Sequence, residues 1–166
     1  KVIIWTICIQ NDHERQEFLK ASNIESKLLI GQIPQEERET TIKAFNDPNN
    51  NDFNVIIANP FSVAESISLH KGCHNAIYLE RDYNCSNFLQ SKDRIHRVGL
   101  DDNQITKYYY FVSTNSIDEV INSRLHLKIQ RMEEIINDDI PLFRQIDDND
   151  ETDIIKELIA NYAQRT

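Results

Sequence analysis

Gln90, Arg94 and Arg97 fall at i, i+4 and i+7 in the stretch QSKDRIHRVGL, residues 90–100. At about 100° per residue these positions share one face of a helix. Phe88, Ile95 and Val98 fall on roughly the opposite side, where they would hold the helix to a core. Two guanidiniums aimed together suit a target of charged, planar oxygens such as a phosphate chain, because each can donate paired hydrogen bonds. The competing reading is a solvated face with an internal Asp93–Arg97 pair at i, i+4. The spacing alone does not separate the two.

Other clusters are weaker in chemistry. No GxxxxGK[ST] loop is present, and the glycines are Gly31, Gly72 and Gly99, so the chain builds no tight triphosphate cradle of its own. Asp118-Glu119-Val120-Ile121 imitates a magnesium-binding DExx box. It follows a strand, a loop and a capping serine, which makes the acids better read as helix-start residues. His70-x-x-Cys73-His74 invites a zinc reading, but a structural site needs a fourth protein ligand and Cys85 is the nearby candidate. No metal is expected there. Tyr108, Tyr109 and Tyr110 alternate across a strand, which argues against a base-stacking platform.

The elements that would carry these residues alternate between strand and helix, predicting an α/β fold with a mainly parallel sheet covered by helices on both faces. Val2 to Ile9 is a continuous apolar run, as for a strand buried on both sides. Asn11 or Asp12 can cap a helix to about Ala21 with Phe18 and Leu19 turned inward. Lys27 to Ile30 reads as a short strand stopped by Gly31. Pro34 with Glu36 and Glu37 opens a helix carrying Ile42 and Phe45, and the tract Asn46 to Asn54 is a polar loop. Val55 to Ala58, Ala76 to Leu79 and Lys107 to Val112 read as further strands, with a turn and short helix at Ser62 to Leu69. Ser116 and Glu119 form a capping box for a helix ending near Asn137. An acidic stretch, Asp147 to Asp153, then leads to an amphipathic helix, Ile154 to Ala163.

With 166 residues and 40% hydrophobic content, one domain with a proper core is expected. The net charge of −9 is uneven: residues 133–166 hold ten acids against three bases, while residues 1–132 hold 17 against 15. A nearly neutral lobe can still hold phosphates through local Lys, Arg and backbone N–H groups, so the charge does not exclude DNA. Three cysteines without CxxC spacing suit a reducing cytoplasm. No apolar run reaches membrane-spanning length and no signal-peptide pattern is present, so no membrane partner is expected. The start at Lys1, running straight into an apolar strand, looks like a cut inside a longer protein.

Gln90-x-x-Asp93-Arg94-x-His96-Arg97-x-Gly99 resembles motif VI of the Swi/Snf-like ATPases, a branch of helicase superfamily two. Tyr83-Asn84 stands where that family usually has Trp-Asn, and Leu89-Gln90-Ser91 where it has Leu-Gln-Ala. Leu100 replaces the glutamine usual after the glycine. Upstream, IANPFSVAESISL (57–69) occupies the place of motif V, with Asn59, Pro60 and Ser66 at the family's Ser, Thr and last Gly, and Val63-Ala64 at its paired glycines. Pro60 offers neither hydroxyl nor N–H to a DNA phosphate, so Asn59, Ser62 or exposed N–H groups would have to substitute. Gly31, Arg38 and Ile42-x-x-Phe45 match the block between motifs IV and V, and Ile4-Trp5-Thr6 the end of motif IV, where Trp5 is expected in the core.

The resemblance spans about Val2 to Leu127 and implies the second RecA-like lobe of a two-lobed, DNA-dependent ATPase. It implies a lobe at residues 1–137 followed by an acidic linker and helix at 138–166. By the same resemblance Arg94 and Arg97 are arginine fingers reaching ATP held by an absent first lobe, with Gln90 ordering the site. Asp93 and Glu65 would lie near the nucleotide, and Asn59, Ser62 and Ser66 near the nucleic-acid backbone. ATP and Mg²⁺ are the implied cofactors, held mainly by the first lobe, and DNA, as duplex, is the implied partner. The expected location is a cytoplasm of bacterial type, or otherwise inside the cell. The rival is a degenerate, non-catalytic lobe kept for binding protein or nucleic acid, which the missing motif V glycines favour and the intact Gln90/Arg94/Arg97 set opposes.

Overall fold

The computed structural model describes residues 1–61, 68–96 and 104–137, with side chains as far as residue 132. The expectations for Ser62, Glu65, Ser66, Arg97 and Val98, for most of the 62–69 turn, and for the acidic stretch and helix after residue 137 lie outside the described residues. By its contacts the chain divides into two compact units, Lys1–Phe111 and Val112–Thr166.

The first unit contains strands β1 (Val2–Trp5), β2 (Ser26–Leu29), β3 (Val55–Ala58), β4 (Asn75–Tyr78) and β5 (Lys107–Tyr110). They form one sheet in the order β2-β3-β1-β4-β5, and every pairing is parallel. Helices α1 (Asp12–Ala21), α2 (Gln35–Asn46) and α3 (Cys85–Asp93) make the crossovers β1–β2, β2–β3 and β4–β5. The expected α/β architecture of RecA-like type is therefore present.

Register decides the two faces. Ile4, Ile57 and Leu28 are partners across β1, β3 and β2, and share one side of the pleat. Leu28 and Ile57 form a buried cluster with Ile30, against which Leu19 of α1 packs. Trp5, Tyr78 and Tyr110 are partners across β1, β4 and β5. Trp5 stacks on Tyr78 at 6.3 Å between ring centroids, and Tyr78 meets Phe88 of α3 at 5.3 Å and Tyr110 at 5.2 Å. Trp5 is fully buried, as expected of a core residue. β3 is buried at all four positions, which is why its sequence is uniformly apolar.

Several expectations need correction. The apolar run from Val2 does not continue as strand to Ile9: the ladder stops at Trp5, and Ile9–Asn11 form a 3₁₀ turn. The N–H groups of Ile7 and Cys8 turn instead to the Glu80 carboxylate. Phe18 is 73% exposed rather than inward, because α1 sets Leu19, one position and about 100° away, on the sheet. Asn11 makes no side-chain cap, and Asp12 is buried inside the first turn, paired with Arg15. Pro34 caps α2 as expected, and Phe45 of that helix stacks on Phe53 beneath the polar loop.

The second unit, from Val112, carries helix α4 (Ile117–Asn137). Its entry differs from a regular capping box. Ser116 Oγ accepts from the Asp118 N–H, and Asp118 Oδ2, not Glu119, reaches back to the N–H of Ser113. The acids of the DExx-like run are thus helix-start acids, and Asp118 is engaged by backbone.

Candidate nucleotide and nucleic-acid interface

Helix α3 starts with Asn84, whose side-chain oxygen accepts the N–H of Asn87. Its inner face is Phe88, Ser91 and, two residues past its end, Ile95, all buried. Gln90 and Asp93 are exposed, and Arg94 is partly exposed. The helix proper ends at Asp93, four residues before Arg97, and Arg94 is its C-cap. Arg94 keeps helical angles (φ −67°, ψ −28°), so the i, i+4 relation of Gln90 and Arg94 survives the end of the helix.

Arg94 also ties two segments together through its backbone. Its carbonyl accepts the N–H of Leu69 at 2.9 Å, joining the end of the 57–69 segment to the end of α3. Beside it, the Tyr108 hydroxyl donates to the Lys92 carbonyl, and the Lys92 ammonium lies 4.9 Å from the Tyr108 ring centroid. Burial first, then repulsion from the charge Tyr110 gains on ionising and from the Asp93 carboxylate, push the Tyr108 hydroxyl up to about 12. Tyr109 points to the other side and is 48% exposed, so the three tyrosines alternate as expected.

The carboxyl ends of β1, β3 and β4 form a second locus. Parallel α/β sheets present ligand-binding crevices at such ends. Here the end is shaped by Asn59, which is buried, and both ends of its amide are engaged within the chain. Its Nδ2 donates to the Ile7 carbonyl at 3.0 Å and its Oδ1 accepts the Phe61 N–H at 2.9 Å. Pro60 and the half-exposed Phe61 line a cleft with Ile7, Glu80, Arg81 and Asn87, enclosing only about 10 Å³, room for one water.

Sequence reasoning missed Glu80 and Arg15. Glu80 Oε2 accepts the N–H groups of Ile7 at 2.9 Å and Cys8 at 2.7 Å, while its Oε1 pairs with Arg15. Arg15 also donates to the Cys8 carbonyl and to the buried Asp12. Burial alone raises the Glu80 carboxyl, but the two amides and the guanidinium hold it below the usual range. The Asp12-x-x-Arg15 spacing is a visible i, i+3 pair; the meeting with Glu80 is not, because it spans 65 residues.

The His70–His74 loop is engaged locally. Ser68 bonds His70, Gln104 bonds His74, and the buried Cys73 thiol faces the carbonyls of Lys1 and Asn75. No group of three metal-ligating side chains occurs among the described residues. No described helix is long and apolar enough to cross a membrane.

Residues 1–99 match the family described as Helicase conserved C-terminal domain. The human SWI/SNF-related matrix-associated actin-dependent regulator of chromatin subfamily A member 1 is 30% identical over 65% of this chain and 10% of its own length. Transcription regulatory protein SNF2 of Saccharomyces cerevisiae is 29% identical over 69% of this chain and 6% of its own. Nuclear protein STH1/NPS1 of the same yeast is 28% identical over 69% of this chain and 8% of its own. The crystal structure of the C-terminal part of Fun30 ATPase domain superposes with a TM-score of 0.73 at 18% identity, covering 99% of this chain and 48% of that one. The chain thus spans a tenth or less of the curated relatives it matches. The expectation of a cytoplasmic location is overturned by these relatives, which are eukaryotic chromatin and transcription regulators, one of them named a nuclear protein. The chain belongs to the helicase conserved C-terminal domain family, and is homologous to the second, C-terminal lobe of the Swi/Snf ATPases.

Proposed function

We propose that this chain is the second motor lobe of an ATP-dependent DNA translocase that works on nuclear DNA. A first lobe holds Mg-ATP, and closure of the two lobes brings Arg94 and Arg97 to the terminal phosphoryl group. Charge stabilisation there is the main lever on phosphoryl transfer, and an arginine finger contributes about 10³–10⁵ in rate. Gln90 orders the same site, and Asp93 and Glu65 lie close to the nucleotide. Asn59, Ser62 and Ser66 lie near the DNA backbone as the lobes open and close by turns.

The observation that carries this reading is the disposition of α3. Phe88, Ser91 and Ile95 fasten it to the sheet, leaving Gln90 and Arg94 on the side away from the core. The test is turnover with and without the first lobe. The 166-residue chain alone should hydrolyse no ATP with or without DNA, and a protein carrying both lobes should show DNA-stimulated hydrolysis. Stimulated turnover by the chain alone would refute the division of labour.

A second reading, a non-catalytic binding lobe, draws on Pro60, which removes the expected phosphate-facing hydroxyl, and on the inward use of Asn59. A two-lobed protein that binds DNA but never hydrolyses ATP would favour it.

A further inference from the structure

Glu80 stands two residues beyond β4, yet its carboxylate takes over the two backbone N–H groups with which β1 leaves the sheet. Both N–H groups converge on one oxygen, and the other oxygen faces Arg15. Two adjacent N–H groups and a guanidinium around one carboxylate make an anion-binding arrangement filled from within the chain. Arg15 is itself held by the Cys8 carbonyl and Asp12, so the cluster joins α1, the end of β1 and the end of β4.

The next bond in the series leads to β3. The same Ile7 whose N–H is held by Glu80 offers its carbonyl to the Asn59 amide. Asn59 in turn fixes the N–H of Phe61, the last described residue before the 62–67 segment. Glu80, Ile7, Asn59 and Phe61 therefore form one hydrogen-bonded series from β4 to the loop after β3.

We propose that Glu80 is a positioning residue for nucleic-acid engagement: it fixes the Ile7–Cys8 peptide, and through Asn59 the N–H of Phe61 at the rim of the strand ends. This rests on the reading of the chain as a DNA-translocase lobe. Glu80 touches neither nucleotide nor DNA. Its removal leaves the nucleotide-facing end of α3 intact and loosens the rim of the strand ends.

The test uses the two-lobed protein and compares the parent with Glu80→Ala, Glu80→Gln and Arg94→Ala. ATP turnover is measured against concentration of duplex DNA. Glu80→Ala should raise the DNA concentration for half-maximal stimulation about tenfold while leaving unstimulated turnover and nucleotide affinity unchanged. Glu80→Gln keeps an oxygen for the two N–H groups but loses the Arg15 ion pair, and should raise it about threefold. A purely stabilising role would lower the folded fraction without moving the half-saturating concentration. An unchanged half-saturation for folded Glu80→Ala overturns the proposal. Should Glu80→Ala fail to fold, an unchanged value for Glu80→Gln overturns it equally. Failure of the underlying reading is distinct: Arg94→Ala would then hydrolyse ATP as well as the parent.

Discussion

The hydroxyls of Tyr78 and Ser91 lie 2.7 Å apart in the core, where β4 meets α3. Ser91 Oγ is also 2.6 Å from the Phe88 carbonyl, which has no hydrogen to give, so Ser91 donates to it and Tyr78 donates to Ser91. The pair sits behind Gln90 and Arg94, so the orientation of the outer face depends on a bond made on the inner one. Burial holds the Tyr78 hydroxyl far above its ordinary value, which keeps it a neutral donor.

Ser91→Ala should therefore be the more damaging of two small changes. It strands a buried tyrosine hydroxyl, at about 1–3 kcal/mol, whereas Tyr78→Phe removes the donor and leaves Ser91 its bond to Phe88, at about 1 kcal/mol. Urea denaturation of both variants measures the order. A Tyr78→Phe cost larger than that of Ser91→Ala would contradict the assigned donor direction.

Gly72 is a second point of close approach. A Cβ there would lie 2.3 Å from the Phe45 carbonyl oxygen at the end of α2, an atom of the backbone that cannot swing aside. The Gly72 N–H is held by the Asn46 side chain and the Leu69 carbonyl, so the loop cannot easily retreat. Gly72→Ala should cost about 1–3 kcal/mol, read as a lower denaturation midpoint. A neutral substitution would mean that the loop can move off α2.

The orientation of α1 gives a paired prediction. Phe18→Ser, at a 73% exposed position, should change stability by no more than about 0.5 kcal/mol. Leu19→Ala removes a side chain packed on the Leu28, Ile30 and Ile57 cluster and should cost about 1–2 kcal/mol, less than a fully buried leucine. Equal costs in thermal unfolding would contradict the helix rotation described.

Stability near pH 4 reports on Glu80. Burial alone would raise its carboxyl, but the Cys8 and Ile7 amides and Arg15 outweigh it and hold the folded value below the ordinary one. A carboxyl lowered on folding contributes stability that is complete above its unfolded value and is lost as pH falls through the folded one. The urea midpoint should fall as pH drops from about 5 towards about 3, and Glu80→Gln should flatten part of that slope. Parallel profiles for parent and variant would show that Glu80 gains nothing on folding.

How much of this was legible in the sequence varies by element. Val55–Ala58 is read to the residue, because four apolar positions buried on both faces leave no ambiguity. The inner face of α3 is read correctly at Phe88 and Ile95 because helical spacing is local information. The early end of β1 is not legible: Ile7, Cys8 and Ile9 are as apolar as the residues before them, and what stops the ladder is Glu80, more than 70 positions away. Phe18 misleads for a related reason, since hydrophobicity does not say which of two adjacent positions the sheet will cover. Arg15 was likewise readable as half of an i, i+3 pair, while its role at the strand ends depends on the crossover that brings β4 beside β1.

The most direct measurement of the central claim is the DNA-stimulated ATPase rate of the two-lobed protein with Arg94→Ala, taken together with its nucleotide affinity. The account predicts that hydrolysis falls by about 10³ or more while nucleotide affinity stays within about threefold of the parent. Hydrolysis at the parent rate, or an equal loss of binding and turnover, would contradict it.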